Sequence, residues 1–206
     1  MIATGAMWTI ALSVIALVSG TISGTLVALA VTSRNIIVVI LTQLFVRIFQ
    51  GTPLLLQLFV IYFGVALLHI PIGQWAAVAI GFCLHAAAFI GAILGGGIKA
   101  VPRGQTEAAN VLGLGYIHRI IFIILPQAFR ITTPALVGFA VTLVKGTSLA
   151  SIIGFTELTR AGQLVSASTF QPLIVYGMVG GIYFLLCWPL STWGQGLEKR
   201  MARSAR

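Results

Sequence analysis

The first charged side chain in this sequence is Arg34, and no Asp, Glu, Lys or Arg occurs between Arg47 and Lys99. Chains with uncharged runs of that length cannot coat themselves with polar groups in water, so their natural solvent is lipid. A bilayer core takes roughly 20 apolar residues per helix, and five stretches supply them, at about 8–31, 38–67, 75–98, 133–155 and 172–193. The composition agrees: 59% of residues are hydrophobic and 7% charged, too few charges to cover a soluble domain. Leu68-His69-Ile70-Pro71-Ile72-Gly73-Gln74 is the one turn-forming segment between the second and third stretches. The N-terminus lacks a basic leader region, and Trp8 to Val31 is long enough to span, so it reads as a retained helix. The expectation is an all-α integral membrane protein with five transmembrane helices and its two ends on opposite sides.

Charge then orients the chain. The formal net charge of +9 comes from 12 Lys+Arg against 3 Asp+Glu, and the cations punctuate apolar runs instead of forming a patch for nucleic acid. With the C-terminus inside, Arg34, Lys99, Arg103, Arg119, Arg130, Lys199, Arg200, Arg203 and Arg206 are cytoplasmic, nine of the twelve, and Arg160 alone lies in an outer loop. Positive residues favour the cytoplasmic side, so N-terminus out and C-terminus in is expected. Arg47 lies about a turn and a half into its span, where snorkelling to the interface accounts for it. Trp8, Trp75, Trp188 and Trp193 fall near predicted span ends and read as interfacial anchors. Cys83 and Cys187 sit inside apolar runs, as small buried residues and not as a disulfide or a metal site.

Between the third and fourth spans, residues of about 99–132 form neither a short turn nor a span, and loops of that length usually carry function. Pro102 suits a helix start and Glu107 falls in the first turns, where the helix dipole favours an acid. Gly113-Leu114-Gly115 ends that helix, because glycine accepts the positive φ of a sharp reversal. Tyr116 to Ile124 is expected as a second helix that Pro126 stops or kinks.

Glu107-Ala108-Ala109, three residues, Gly113, nine residues, then Ile123-x-Leu125-Pro126 is similar to the EAA loop of ABC importer permeases at each fixed position and spacing. Further segments resemble the polar amino acid branch of that family, the histidine, glutamine, arginine and opine type. They include Gln50-Gly51-Thr52-Pro53 through Phe59, Val101-Pro102-Arg103-Gly104-Gln105, Leu125-Pro126-Gln127-Ala128-Phe129-Arg130 and Lys145-Gly146-Thr147-Ser148-Leu149. The resemblance covers essentially the whole chain. It implies a type I ABC importer permease fold in a single transmembrane domain over residues 1–206, in a bacterial cytoplasmic (inner) membrane. It also implies that Glu107, Ala108, Ala109, Gly113, Leu125 and Pro126 couple to a separate ATPase. The implied partners are a dimer of ATP-binding subunits, a second permease that is identical or homologous, a periplasmic or extracytoplasmic substrate-binding protein, and the bilayer. The chain has no Gly-x-x-x-x-Gly-Lys-Ser/Thr loop of its own, so ATP and Mg belong to the partner ATPase and no cofactor is expected here. The implied function is import of polar amino acids or close derivatives by alternating access, with no catalysis by this chain.

The sequence departs from the branch where charge is usual. Arg-Gly-Thr-Pro becomes Gln50-Gly51-Thr52-Pro53, the third span has Ala92 and Gly95 where Glu and Arg are usual, and Gly146 replaces an Asp or Asn. Ionisable groups in membranes are costly and tend to mark substrate paths, so their loss points to an asymmetric pair whose partner supplies more of the substrate contacts. The polar residues that remain for a path are Lys145, Thr147, Ser148, Thr52, Gln57 and His85. Lys145 with Thr147 and Ser148 suits a substrate carboxylate; a structural cation paired with Glu157 or with the partner subunit is the alternative. Gln57 and His85 also suit plain interhelical hydrogen bonds. Two rival functions remain: an ion- or proton-coupled secondary transporter subunit, which has no use for the loop, and an intramembrane serine hydrolase using Ser148 and His85.

Overall fold

The computed structural model describes residues 1–204. Arg206, counted above among the inward cations, lies outside the described residues, as does the side chain of Arg203. Every regular element among the described residues is helical. We number them α1 (Ile2–Val31), α2 (Ile36–Gly51), α3 (Leu54–Leu67), α4 (Gln74–Ala100), α5 (Arg103–Val111), α6 (Tyr116–Ile153), α7 (Leu158–Thr169) and α8 (Pro172–Ser204).

Small residues let α1 and α4 approach closely. A methyl group added at Gly20 would lie 2.3 Å from the Ala86 Cβ, one at Gly24 2.9 Å from the Ile90 Cβ, and one at Gly91 2.3 Å from a Val27 methyl. Such contacts hold membrane helices together where no hydrophobic drive exists between them. Most serine and threonine hydroxyls along α1 bond back to carbonyls four residues earlier, as Ser13 does to Thr9 at 2.7 Å and Thr21 to Leu17 at 2.6 Å.

The pairing order of α1 and α4 settles the number of crossings. Trp8 and Trp75, near the two helix starts, meet edge to face at 5.8 Å, and Ala28 reaches Gly95 near the two ends. The helices therefore run parallel, and the chain between them must return across the layer. Four helices, α1, α4, α6 and α8, are long and apolar enough to cross singly, and the returning segment α2–α3 is the fifth crossing.

That return, expected over 38–67 with Gly51-Thr52-Pro53 read as a kink, is broken at those residues. The chain bends by 106° between α2 and α3. The cause is local: Pro53 pushes the preceding residue out of the helical region, and Thr52 is extended at φ −116° and ψ 142°. At 1.5 Å per residue the arms are about 24 and 21 Å long, and even so bent their far ends stand about 27 Å apart, close to a hydrocarbon core of ~30 Å. Arg47 lies eleven residues after Ile36, about three turns into α2 and deeper than the turn and a half expected.

The fourth span starts earlier than expected, and Pro126 neither stops nor breaks it. Tyr116–Arg119 passes into a π-type turn at Ile120–Ile124, continues as Leu125–Gly146, and tightens to a 3-10 helix over Thr147–Ile153. The wide turn takes up the missing N–H and the ring clash of Pro126, so one helical path of 38 residues runs through. The turn at Leu68–Gly73 falls where it was expected, with His69 at φ 58°. Trp188 lies midway along α8, not near its end.

The main core forms where α1, α3, α4 and α6 meet, around Leu12, Leu58, Phe82, Ile90 and Leu143. A second, small cluster of Val101, Ile124 and Ala128, with Ile98, Ile120 and Ile123 against it, packs the end of α4 on the start of α6. Gly97 lets these two touch, since a methyl there would meet Thr132 at 2.4 Å.

Candidate coupling hairpin and candidate substrate cleft

The loop expected to carry function is a helical hairpin standing at the end of the molecule opposite Trp8. Pro102 precedes α5 in an extended conformation, and Glu107 is the fifth residue of that helix, in its second turn. Gly113 adopts φ +71°, while Gly115 is at φ −61° and needs no special freedom. The reversal is closed by Leu114 N–H donating to the Ala109 carbonyl at 3.0 Å and Gly113 N–H to Asn110 at 3.0 Å, a double closure that satisfies carbonyls left over at a helix end. Glu107, Ala108 and Gly113 face outward, whereas Ala109 is buried inside the hairpin. Val111 and Leu112, which the spacing did not single out, are 88% and 75% exposed at the tip. Leu125 and Pro126 sit at the hairpin's base, beside the small cluster that joins α4 to α6.

The polar residues expected along a path fall into two groups that the fold keeps apart. Lys145 and Ser148 line an open cleft of about 390 Å3 with Thr159, Tyr176 and Tyr183. Lys145 is exposed there, and Ser148 Oγ donates to the Lys145 carbonyl at 2.8 Å. Thr147 is fully buried and donates to the Val144 carbonyl at 2.7 Å, so it does not reach the cleft surface. The alternative pairing of Lys145 with Glu157 does not form. Glu157 is fully buried, capping α7 by accepting from Thr159 N–H at 2.9 Å and Arg160 N–H at 2.8 Å, and accepting from the Tyr183 hydroxyl at 2.8 Å. Tyr176, Tyr183 and Thr159 were missed in the sequence because they lie on other elements, and no local motif ties them to Lys145.

Thr52, Gln57 and His85 meet at the bend between α2 and α3. The Gln57 amide nitrogen donates to the Phe49 carbonyl at 2.8 Å, the Thr52 carbonyl at 3.0 Å and Thr52 Oγ1 at 3.0 Å. Its amide oxygen lies 3.0 Å from His85 Nδ1, and the His85 ring stacks against Phe89 with centroids 4.5 Å apart. The network satisfies carbonyls that the break sets free, an obligation inside a membrane. The bend also holds an apolar pocket of about 210 Å3, lined by Ile48, Leu56 and Val60 among others.

The serine hydrolase reading fails on this geometry. His85 is taken by Gln57 on one side of the core, while Ser148 bonds to its own helix in a different cleft. Where charges are usual in the third span, Ala92 is half-buried and Gly95 is buried, a methyl at Gly95 lying 3.8 Å from a Val31 methyl and 4.0 Å from the Ala28 Cα. Gly146 lies 3.3 Å from Leu54, measured from the methyl it lacks.

The family described as binding-protein-dependent transport system inner membrane component matches residues 16–203. A probable amino-acid ABC transporter permease of Bacillus subtilis (strain 168) is 33% identical over 198 residues, covering 96% of this chain and 88% of its own. The arginine transport system permease ArtQ of the same organism is 32% identical, covering 94% and 89%. Among solved structures, one of an amino acid ABC transporter with histidines superposes with a TM-score of 0.86 at 29% identity, covering 97% of this chain and 93% of its own. An inward-facing methionine ABC transporter shares the fold, with a TM-score of 0.78 at 22% identity and coverage of 100% and 96%.

Proposed function

This chain belongs to the family of binding-protein-dependent transport system inner membrane components, and from that premise we propose that it imports polar amino acids across a bacterial cytoplasmic membrane. As a permease subunit of an ABC transporter it is a non-catalytic translocation component, and ATP is hydrolysed by a separate ATPase. The amino acid class is carried over from relatives named for arginine and for cystine. We place the N-terminus outside and the hairpin inside, where the excess of cations favours the cytoplasm.

One observation carries the mechanism: an exposed hairpin with an apolar tip is packed onto two spans through a small apolar cluster. Val111 and Leu112 at the tip suit a groove on an ATPase subunit, and Glu107 offers a charged contact beside them. The cluster of Val101, Ile124 and Ala128 leaves no slack between the hairpin and the ends of α4 and α6. Closure of two ATPase subunits on ATP therefore swings α5 as a lever and rocks the spans, opening the central path toward an extracytoplasmic binding protein. Lys145 and Ser148 face that path and meet the substrate carboxylate. Thr147, Thr52, Gln57 and His85 support the path by holding its helices, not by touching substrate. The uncharged surroundings of Ala92, Gly95 and Gly146 favour a homologous, non-identical second permease that supplies further substrate contacts.

The test is a photo-cross-linking residue in place of Leu112 in membranes that contain the whole transporter. An adduct with an ABC-type ATPase subunit is expected. An adduct with the binding protein, or labelling from outside the cell, overturns the reading. A secondary transporter subunit would import without ATP, so proteoliposomes lacking ATP should show no uptake.

A further inference from the structure

Two arginines converge at the hairpin end of the molecule, with no acid between them among the described residues. Where the α1–α2 turn meets the base of α6, Ser33, Arg34, Asn35, Asn110, Tyr116 and Arg119 surround a cleft of about 530 Å3 whose lining includes no carboxylate. Arg119 is only 8% exposed. One of its guanidinium nitrogens donates to Asn110 Oδ1, and its Cζ lies 5.4 Å from the Tyr116 ring centroid. Neither partner carries a charge. A cation removed from water needs a counter-charge to offset its lost hydration, and the planar fork of a guanidinium suits a phosphate oxygen pair. Arg34, exposed at the rim, adds a second cation to the same space.

Depth identifies the source of the anion. Trp8 and Trp75 mark the opposite boundary of the layer, where aromatic side chains sit at the headgroup level. From Trp8 to Ser33 the chain rises about 37 Å at 1.5 Å per residue. That exceeds a hydrocarbon core of ~30 Å and stays within the ~40–45 Å that includes both headgroup layers. The cleft is therefore level with lipid phosphates. Its flanks are apolar and exposed, with Ile36 and Ile37 on α2 and Ile117 and Phe122 on α6.

We propose that this cleft binds the phosphate of an anionic phospholipid. Arg119 holds the phosphate from within and Arg34 from the rim, Ser33 and the Asn35 amide add neutral donors, and the acyl chains lie along Ile36 and Ile37. The bound lipid bridges the α1–α2 turn to the reversal of the coupling hairpin, beside its tip, so membrane composition acts on the element that receives the motor's stroke. None of this depends on which substrate is carried.

Native mass spectrometry of the whole transporter, ATPase included, tests it with graded phosphatidylglycerol, phosphatidylcholine and inorganic phosphate in parallel. Phosphatidylglycerol adducts should persist where phosphatidylcholine is lost. Arg34→Gln, at an exposed position that does not threaten folding, should reduce them about fivefold, the equivalent of about 1 kcal/mol. Arg119→Lys, which keeps the charge and loses the fork, should reduce them too, at an unchanged melting temperature. Equal retention in both variants, or equal binding of phosphatidylcholine, overturns the proposal. So do phosphate adducts without lipid adducts, which assign the cleft to a free anion, and lipid binding confined to complexes stripped of the ATPase, which assigns it to a protein contact.

Discussion

Gly113 shows how much a single residue can reveal when its conformation and its neighbours agree. Its φ of +71° lies where any other side chain is strained, at a cost of ~1–2 kcal/mol, and the hairpin reverses there and nowhere else. Gly113→Trp is expected to leave the protein inserted and the ATPase active while transport is lost, and Glu107→Lys should do the same by reversing the charge beside the tip. Paired measurements of uptake and ATP hydrolysis in proteoliposomes check both, and unchanged transport in both variants contradicts the lever assignment. At Lys145 the expectation is different in kind. Lys145→Gln should weaken the apparent affinity for substrate about tenfold, the equivalent of ~1.4 kcal/mol, with basal ATP hydrolysis preserved; an unchanged half-saturation concentration removes Lys145 from the path. Gly113 and Glu107 were legible because their neighbours in sequence carry the pattern. Tyr176 and Tyr183 were not, because they reach the Lys145 cleft from α8, and only the packed fold brings the two together.

Elements of this chain were legible to the extent that hydropathy alone defines them. Uncharged length located the five crossings, and Leu68–Gly73 was marked as a turn by its proline and glycine. The 106° bend was not readable, since Gly51-Thr52-Pro53 announces a break but its angle depends on how Gln57 and His85 brace it. Nor was the passage of α6 through Pro126, because a π-type turn three-dimensionally repairs what the proline removes. The spacings Gly20-x-x-x-Gly24 and Gly91-x-x-x-Gly95 are visible in the sequence, but that Gly20 meets Ala86, Gly24 meets Ile90 and Gly91, and Gly95 meets Ala28 follows only from the parallel pairing of α1 and α4. Gly20→Leu should therefore force these helices apart against the Ala86 methyl, at ~1–3 kcal/mol for overpacking, and lower the melting temperature of the purified transporter by several degrees. Gly96→Leu, at a position with open space around it, is the control and should leave the melting temperature where it is. Gln57→Leu should destabilise as well, since it strands the Phe49 and Thr52 carbonyls at ~1–3 kcal/mol for buried groups left unpaired.

In the whole molecule, orientation and coupling depend on the same end of the helix bundle. Parallel α1 and α4, joined by a returning α2–α3, put the hairpin, the α1–α2 turn and the end of α8 together, and Trp8, Trp75 and α7 at the opposite end. If the cationic end is cytosolic, the hairpin meets a motor that the chain lacks; if it is external, it meets nothing that hydrolyses ATP. A transporter in which this permease and its homologue contribute unequal substrate contacts would share that topology, so topology is the more basic question. The direct measurement is Ala108→Cys, at an exposed position of α5, in a chain with Cys83 and Cys187 replaced by serine, probed with a membrane-impermeant maleimide. Labelling is expected in inside-out vesicles and not in intact cells, and the ATPase subunit should protect the site when bound. Labelling of intact cells from outside would contradict the cytosolic hairpin and the import mechanism built on it.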